Sequence, residues 1–284
     1  MLSYDRDGAA SSEPSRRGAL SEAGSSARAH DPDRFLTALF APAERRESLF
    51  VLIAFNHELV RALEMPSLRS GTGPIAALIR LQWWREVVEG APRRHEIAGP
   101  LAAQLSTGAF DRQTVLSVIE AREAEAQGIE TWQDWQATQL GGPGGMQAAF
   151  AEALGERDPD MLDRMRWIGA AYGAGSILRH HRSMLQAGRC PFPDELLRRS
   201  GSSQDALLAG DPLVDPGVLA AVREAGREWL AQAGRPRLGR ARIAAALPAV
   251  LAHRDLERPS GASGSARGLG DRLALAAAWL RGAP

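Results

Sequence analysis

From Asp31 to Arg281 the apolar residues recur at helical spacing, and no stretch of strand length alternates apolar with polar side chains. Val, Ile and Thr number only 25 in a chain of 284 residues, too few to fill the interior of a sheet. Acidic and proline starts, such as Asp31-Pro32-Asp33 and Asp215-Pro216, mark where helices begin. The pattern predicts an all-α protein. A first helix buries Phe35, Leu36, Leu39 and Phe40, and a second, opened by Pro42, runs through about Leu63. Further helices are expected over Pro74–Glu89, Ile97–Leu105, Asp111–Ala126, Thr131–Leu154, Asp160–Gln186, Asp194–Arg199, Pro216–Ala233, Leu238–Leu256 and Gly270–Arg281. Met65–Gly73 and the polar stretch before Asp215 read as loops.

No composition break divides residues 31–255, so a single domain is expected, preceded by a disordered arm over residues 1–30. Pro259–Gly270, rich in Gly and Ser, reads as a mobile linker before the last helix. The arm holds Arg16-Arg17 but lacks the apolar core of an export signal, and acidic residues interrupt it. No run of about 18 apolar residues is present to span a membrane. The cytoplasm is the expected compartment, with peripheral contact at the inner membrane as the alternative.

All 34 basic residues are arginines. Without lysine, Schiff-base chemistry, a Walker phosphate loop and kinase chemistry are excluded. A coding bias toward arginine accounts for the composition. The 34 acidic residues balance the charge, so no general attraction to nucleic acid is expected. The single cysteine, Cys190, excludes an internal disulfide and a cysteine zinc cluster.

Local motifs yield structural readings. Gly141-Gly142-Pro143-Gly144-Gly145 lacks the strand and lysine of a phosphate loop and is expected to break a helix where two pieces separate or pack closely. His180 and His181 are adjacent, so their side chains diverge by about 100° on a helix and do not share an ion. His57-Glu58 lacks the second histidine of a zinc-protease motif, and no Gly-x-Ser-x-Gly elbow is present. Trp132 and Trp135, three apart, are expected in the core.

Four segments in order carry a resemblance. Phe35–Glu64, Leu78–Gly90 (L-I-R-L-Q-W-W-R-E-V-V-E-G), T-W-Q-D-W with the glycine break, and Tyr172–Leu197 (Y-G-A-G-S-I-L-R-H-H-R-S-M-L-Q-A-G-R-C-P-F-P-D-E-L-L) resemble the squalene/phytoene synthase family. The resemblance spans about Asp31 to Leu256. It implies a single all-α domain of the isoprenoid synthase type, with helices around a central cavity. In that family two Asp-x-x-x-Asp clusters hold magnesium, which neutralises the diphosphate leaving group as an allylic cation forms.

The departures bear on function. Aligned by Ala54-Phe55, the first cluster falls on Val60, Arg61 and Glu64; aligned by Gly188-Arg189, the second falls on His180 and Met184. Only Glu64 is a carboxylate, and histidine and methionine are poor magnesium ligands. Arg45 or Arg46, Arg179 and Arg189 are retained where the family's arginines approach diphosphate. Ala54-Phe55-Asn56-His57-Glu58 and Ala246–Ala252 are similar to a noncatalytic branch, the mitochondrial factor for assembly of respiratory complex I and its bacterial relatives.

The resemblance therefore implies a protein that has lost its metal ligands and serves as an accessory factor through a protein partner, with neither cofactor nor bound metal. One alternative is an active prenyltransferase that uses Mg²⁺. In it Glu58, Glu64 and Glu86 supply metal contacts, and Arg45, Arg46, Arg61, Arg179, Arg182 and Arg189 hold phosphate. Against that stands a plain salt-bridged helix face at Glu58, Arg61 and Glu64. A further alternative is an isoprenoid or lipid carrier with an arginine rim for an anionic headgroup.

Overall fold

The computed structural model describes residues 19–64, 73–210, 213–258 and 267–284, and among these every regular element is helical. In chain order the first helices are α1 (Glu22–His30), α2 (Pro32–Ala38), α3 (Ala43–Leu63), α4 (Gly73–Glu89) and α5 (Ala98–Ser106). The middle of the chain forms α6 (Arg112–Gln127), α7 (Trp132–Gly141), α8 (Pro143–Ala153), α9 (Pro159–Gln186) and α10 (Asp194–Arg199). The last third forms α11 (Gln204–Ala209), α12 (Pro216–Ala233), α13 (Gly239–Arg242), α14 (Pro248–Leu256) and α15 (Leu269–Arg281).

The 28-residue α9 is the most heavily packed element: α8, α12 and α14 pack along it, and α7 meets its middle near Gly173. Its middle turn, Gly169-Ala170-Ala171-Tyr172-Gly173-Ala174-Gly175, is buried, and its small side chains let those neighbours approach closely. A Cβ on Gly169 would lie 2.3 Å from the Pro143 carbonyl oxygen, and one on Gly173 would lie 2.6 Å from Gln139 Oε1. The glycine break expected in the sequence is thus explained by proximity. The helix divides at Gly142, Pro143 starts α8, and the backbone of α8 rests directly on α9. Trp135 is fully buried, stacked between Trp132 and Trp229 at 4.6 and 5.6 Å, with its indole N–H donating to the Pro191 carbonyl at 3.0 Å.

Three sequence expectations need correction. Residues 22–30, read as part of a disordered arm, form α1; residues 1–18 lie outside the described residues. Its contact face is Ala23, Gly24 and Ala27, which settle on α3 without the large apolar side chains that a periodicity search detects. Ser21 caps the helix by accepting from the Gly24 N–H at 2.9 Å. The stretch Leu238–Leu256 is not one helix. It runs as α13, a 3-10 turn at Ile243–Ala245, and α14, because Pro248 has no N–H to continue the ladder. The polar stretch before Asp215 contains α11, capped by Ser203.

Residues 65–72 and 259–266, read as a loop and as most of a linker, also lie outside the described residues. Arg267, at the linker's end, is in ion pairs with Asp33 and Asp255.

The close approach of α8 to α9 yields a stability prediction. Gly169→Ala is expected to lower unfolding free energy by about 1–3 kcal/mol through overpacking against Pro143, checked by urea denaturation.

Candidate functional site

A cavity of about 730 Å³ opens between the end of α1, α2, α3, α6, α7, α9 and the segment leading into α15. On α3 the lining residues are Ile53, Asn56, His57, Val60 and Glu64, the spacing of one helix face. On α9 they include Gly173, Ser176, Ile177, His180, Ser183 and Met184, again one face, with Tyr172 and Arg179 at its margins. Apolar walls come from Phe35 and Leu36 of α2 and from Leu39 just beyond it, together with Ile129 and Pro191.

These faces decide which expected site residues come together. Val60, Glu64, Arg179, His180, Met184 and Arg189 line the cavity. Glu58 and Arg61 do not: they lie off the Ile53–Glu64 face and pair with each other at 3.3 Å, with Arg61 exposed. Glu86 is half-exposed on α4 and binds Arg93. Arg45 is exposed near the start of α3, and the Arg46 Nε–H donates to the Ala41 carbonyl at 2.9 Å. Arg182 is exposed on the outer side of α9. The expected set of three glutamates therefore does not assemble, because its members sit on different helix faces.

The cavity wall instead carries charged groups that motif spacing did not single out. Asp31 and Asp33, read as helix-start residues, face it. Asp31 does cap α2, accepting from the Arg34 N–H at 2.9 Å, and its other oxygen pairs with the Arg34 side chain at 3.0 Å. The Arg34 guanidinium lies 4.7 Å over the Tyr172 ring. Asp33 accepts from Arg267 Nε at 2.8 Å and from Arg179 Nη1 at 3.3 Å. Arg267 also grips Asp255 of α14 with both Nη groups at 2.7 Å, a fork-to-fork pair.

A second network lies across the cavity. Glu125 of α6 takes Arg122 Nη1 at 2.8 Å and Arg189 Nε, and Arg122 Nη2 donates to Asn56 Oδ1 at 3.4 Å. Burial pushes the Glu125 carboxyl up, but the charges of Arg189 and Arg122 outweigh it and hold it below the usual range. Charged residues at interior helix positions were the available signal for Arg122 and Glu125, three apart in a helix otherwise buried on that side.

Two histidines on the cavity wall, His57 and His180, are shifted toward neutrality. His57 lies flat against His30, ring centroids 3.7 Å apart, and burial followed by repulsion from His30 lowers its pKa. Burial and then the Arg179 charge lower that of His180. His181 turns away from the cavity and places Nδ1 3.2 Å from the Ile177 carbonyl, the divergence expected of adjacent helical residues.

A model of the squalene/phytoene synthase family matches residues 27–264. The chain belongs to the squalene/phytoene synthase family. Among solved structures it is similar to a dehydrosqualene synthase in complex with ligand, at 14% identity and TM-score 0.69, covering 91% of this chain and 94% of that one. It is also similar to the squalene synthase HpnC from Alicyclobacillus acidocaldarius, at 16% identity and TM-score 0.58, covering 92% of each chain. These likenesses establish the isoprenoid synthase fold. A comparison with curated sequences gave no match.

The family's magnesium cluster does not fit the residues present. Among the described residues no group of three or more His, Cys, Asp or Glu side chains is placed to hold a metal ion. Asp31 and Asp33 each have Oδ2, and Glu125 both oxygens, already accepting from arginine side chains, whereas Mg²⁺ requires oxygen ligands free to complete an octahedron. Glu64 alone survives from the aligned aspartates at the cavity wall.

Two predictions follow from these contacts. Arg267→Ala removes the bidentate partner of Asp255, which is 1% exposed, and is expected to cost about 3 kcal/mol in a denaturation experiment. His57 and His180 have lowered pKa values in the folded chain, so below about pH 6.5 the unfolded chain binds more protons. Stability is expected to fall as pH drops from 7.5 to about 5. His57→Phe, which retains the stack on His30, should reduce that dependence in urea midpoints measured across the range, with His180, His181 and His253 keeping their share.

Proposed function

We propose that this member of the family binds an amphiphile with an apolar chain and an anionic head, and does not join prenyl diphosphates. The observation that carries the reading is the pairing of cavity carboxylates with arginines in place of a metal-ligand cluster. Prenyl coupling needs concentrated positive charge at the departing pyrophosphate, supplied in the family by magnesium. Arg34, Arg122, Arg179, Arg189 and Arg267, each already paired with a carboxylate, deliver less of it.

Ligand binding is supported by the wall itself. Seven arginines and four carboxylates line the cavity beside an apolar surface of Phe35, Leu36, Ile53, Ile129 and Ile177, so an otherwise neutral chain holds a net cationic pocket. Guanidinium groups suit a phosphate or carboxylate head, and the apolar wall suits an isoprenoid or acyl chain. The similar solved structures are of a dehydrosqualene synthase and a squalene synthase, consistent with a cavity inherited for isoprenoid chains.

The accessory role in respiratory complex I assembly, drawn from Ala54–Glu58 and Ala246–Ala252, is the partner-level form of the same reading. It predicts that deleting the gene lowers assembled complex I on native gels; unchanged levels would remove the assembly role and leave ligand binding standing.

Incubating the purified chain with farnesyl or geranylgeranyl diphosphate and Mg²⁺ tests the reading directly. No pyrophosphate release is expected, with the diphosphate retained on the protein in equilibrium dialysis. Sustained release of pyrophosphate with a coupled hydrocarbon product would overturn the noncatalytic assignment and restore prenyl transfer.

A further inference from the structure

Helix α15 leaves an apolar stripe uncovered. At 100° per residue, Leu269, Leu273, Ala276 and Leu280 fall within an arc of about 60°. The three leucines are 72%, 61% and 62% exposed. Asp271, Leu275 and Ala278, on the other side of the helix, are buried. A surface helix ordinarily turns polar residues outward, so an exposed row of leucines marks a contact surface.

The charge that α15 itself exposes has one sign. Asp271 is the only acid of α15, and it is buried and paired with Arg254 and Arg258 at 2.5 and 3.4 Å. The exposed charges on the helix are Arg272 and Arg281. Arg240, also exposed, lies 5.5 Å over the ring of Trp279. The chain as a whole is neutral, so attraction to an anionic surface has to be local, and here it is.

The stripe also borders the cavity. Arg272, on the same helix and next to Leu273, lines it, as does Arg267 just before the helix. Trp279 packs 6.1 Å from Phe40, and the preceding residue, Leu39, is 39% exposed and lines the cavity. Leucines and arginines therefore share one rim.

We infer that α15, through Leu269, Leu273 and Leu280 with Arg272 and Arg281, seats the rim of the cavity on an anionic lipid surface. Among the described residues no helix is long and apolar enough to cross a membrane, so α15 lies in the interface plane. The leucines enter the acyl boundary while the arginines meet lipid phosphates, each adding electrostatic attraction that salt weakens. An amphiphile carried in the bilayer then reaches the cavity without crossing water. The inference goes beyond the noncatalytic reading and stands whether or not the cavity turns over a substrate.

The test uses the full chain and vesicles without isoprenoid. Wild-type protein is expected to sediment with phosphatidylcholine–phosphatidylglycerol vesicles, more weakly as salt rises, and poorly with phosphatidylcholine alone. Leu273→Asp combined with Leu280→Asp is expected to weaken partitioning roughly tenfold or more. Circular dichroism and melting temperature should stay unchanged, since both side chains are exposed. Failure of the folded wild type to bind anionic vesicles overturns the inference, as does equal binding by the double variant. Light scattering that shows a dimer abolished by the double variant also overturns it, by assigning the stripe to a second copy of the chain.

Discussion

An ionised carboxylate with 1% exposure has almost no water to solvate it, so Asp255 is tenable on α14 because guanidinium groups surround it. Arg267 meets both of its oxygens at 2.7 Å and turns its Nε toward Asp33 at 2.8 Å, while Arg179 approaches both acids from α9. A planar fork with five donors can serve two carboxylates at once; a point charge on a lysine stem does so poorly. Through this cluster α2, α9, α14 and the chain entering α15 are joined at one edge of the cavity. The position of α15, and with it the exposed leucine row, depends on these pairs.

The same pairing sets what the cavity can do. Carboxylate oxygens that accept from arginine are not available to a divalent cation, and arginine does not shed its proton at any physiological pH. Opposite the Arg267 cluster, Glu125 is held between Arg122 and Arg189 in the same way. The cavity has apolar walls and an arginine-rich lining, and much of its charge is arranged as ion pairs that hold helices together. Positive charge committed to holding the fold contributes less to drawing off a leaving group.

Much of the architecture was legible because helical periodicity and breakers act within a few residues. Pro42, Pro143, Pro159 and Pro216 each stand at or beside a helix start, and the glycines at 141–145 mark the break where α8 meets α9. The adjacent histidines diverge, and Trp135 is in the core, both for reasons of helix geometry. Where large apolar side chains were missing the signal failed. Helix α1 docks through Ala23, Gly24 and Ala27, whose value is close approach rather than buried area. Motif alignment also pointed at Arg61, and the prenyltransferase alternative at Glu58, yet both lie about 80–140° around the helix from the face that Val60 and Glu64 share with Ile53.

Read on its own, the chain determined an all-α fold and its family resemblance, because helical spacing and the order of segments are written along the chain itself. Only the tertiary structure decided which charges meet. Asp33 and Arg267 are 234 residues apart, and Arg122 reaches Asn56 across 66. No local pattern names such partners; they are selected by burial, which makes an unpaired charge too costly to keep and so forces each carboxylate to the guanidinium that packing brings near.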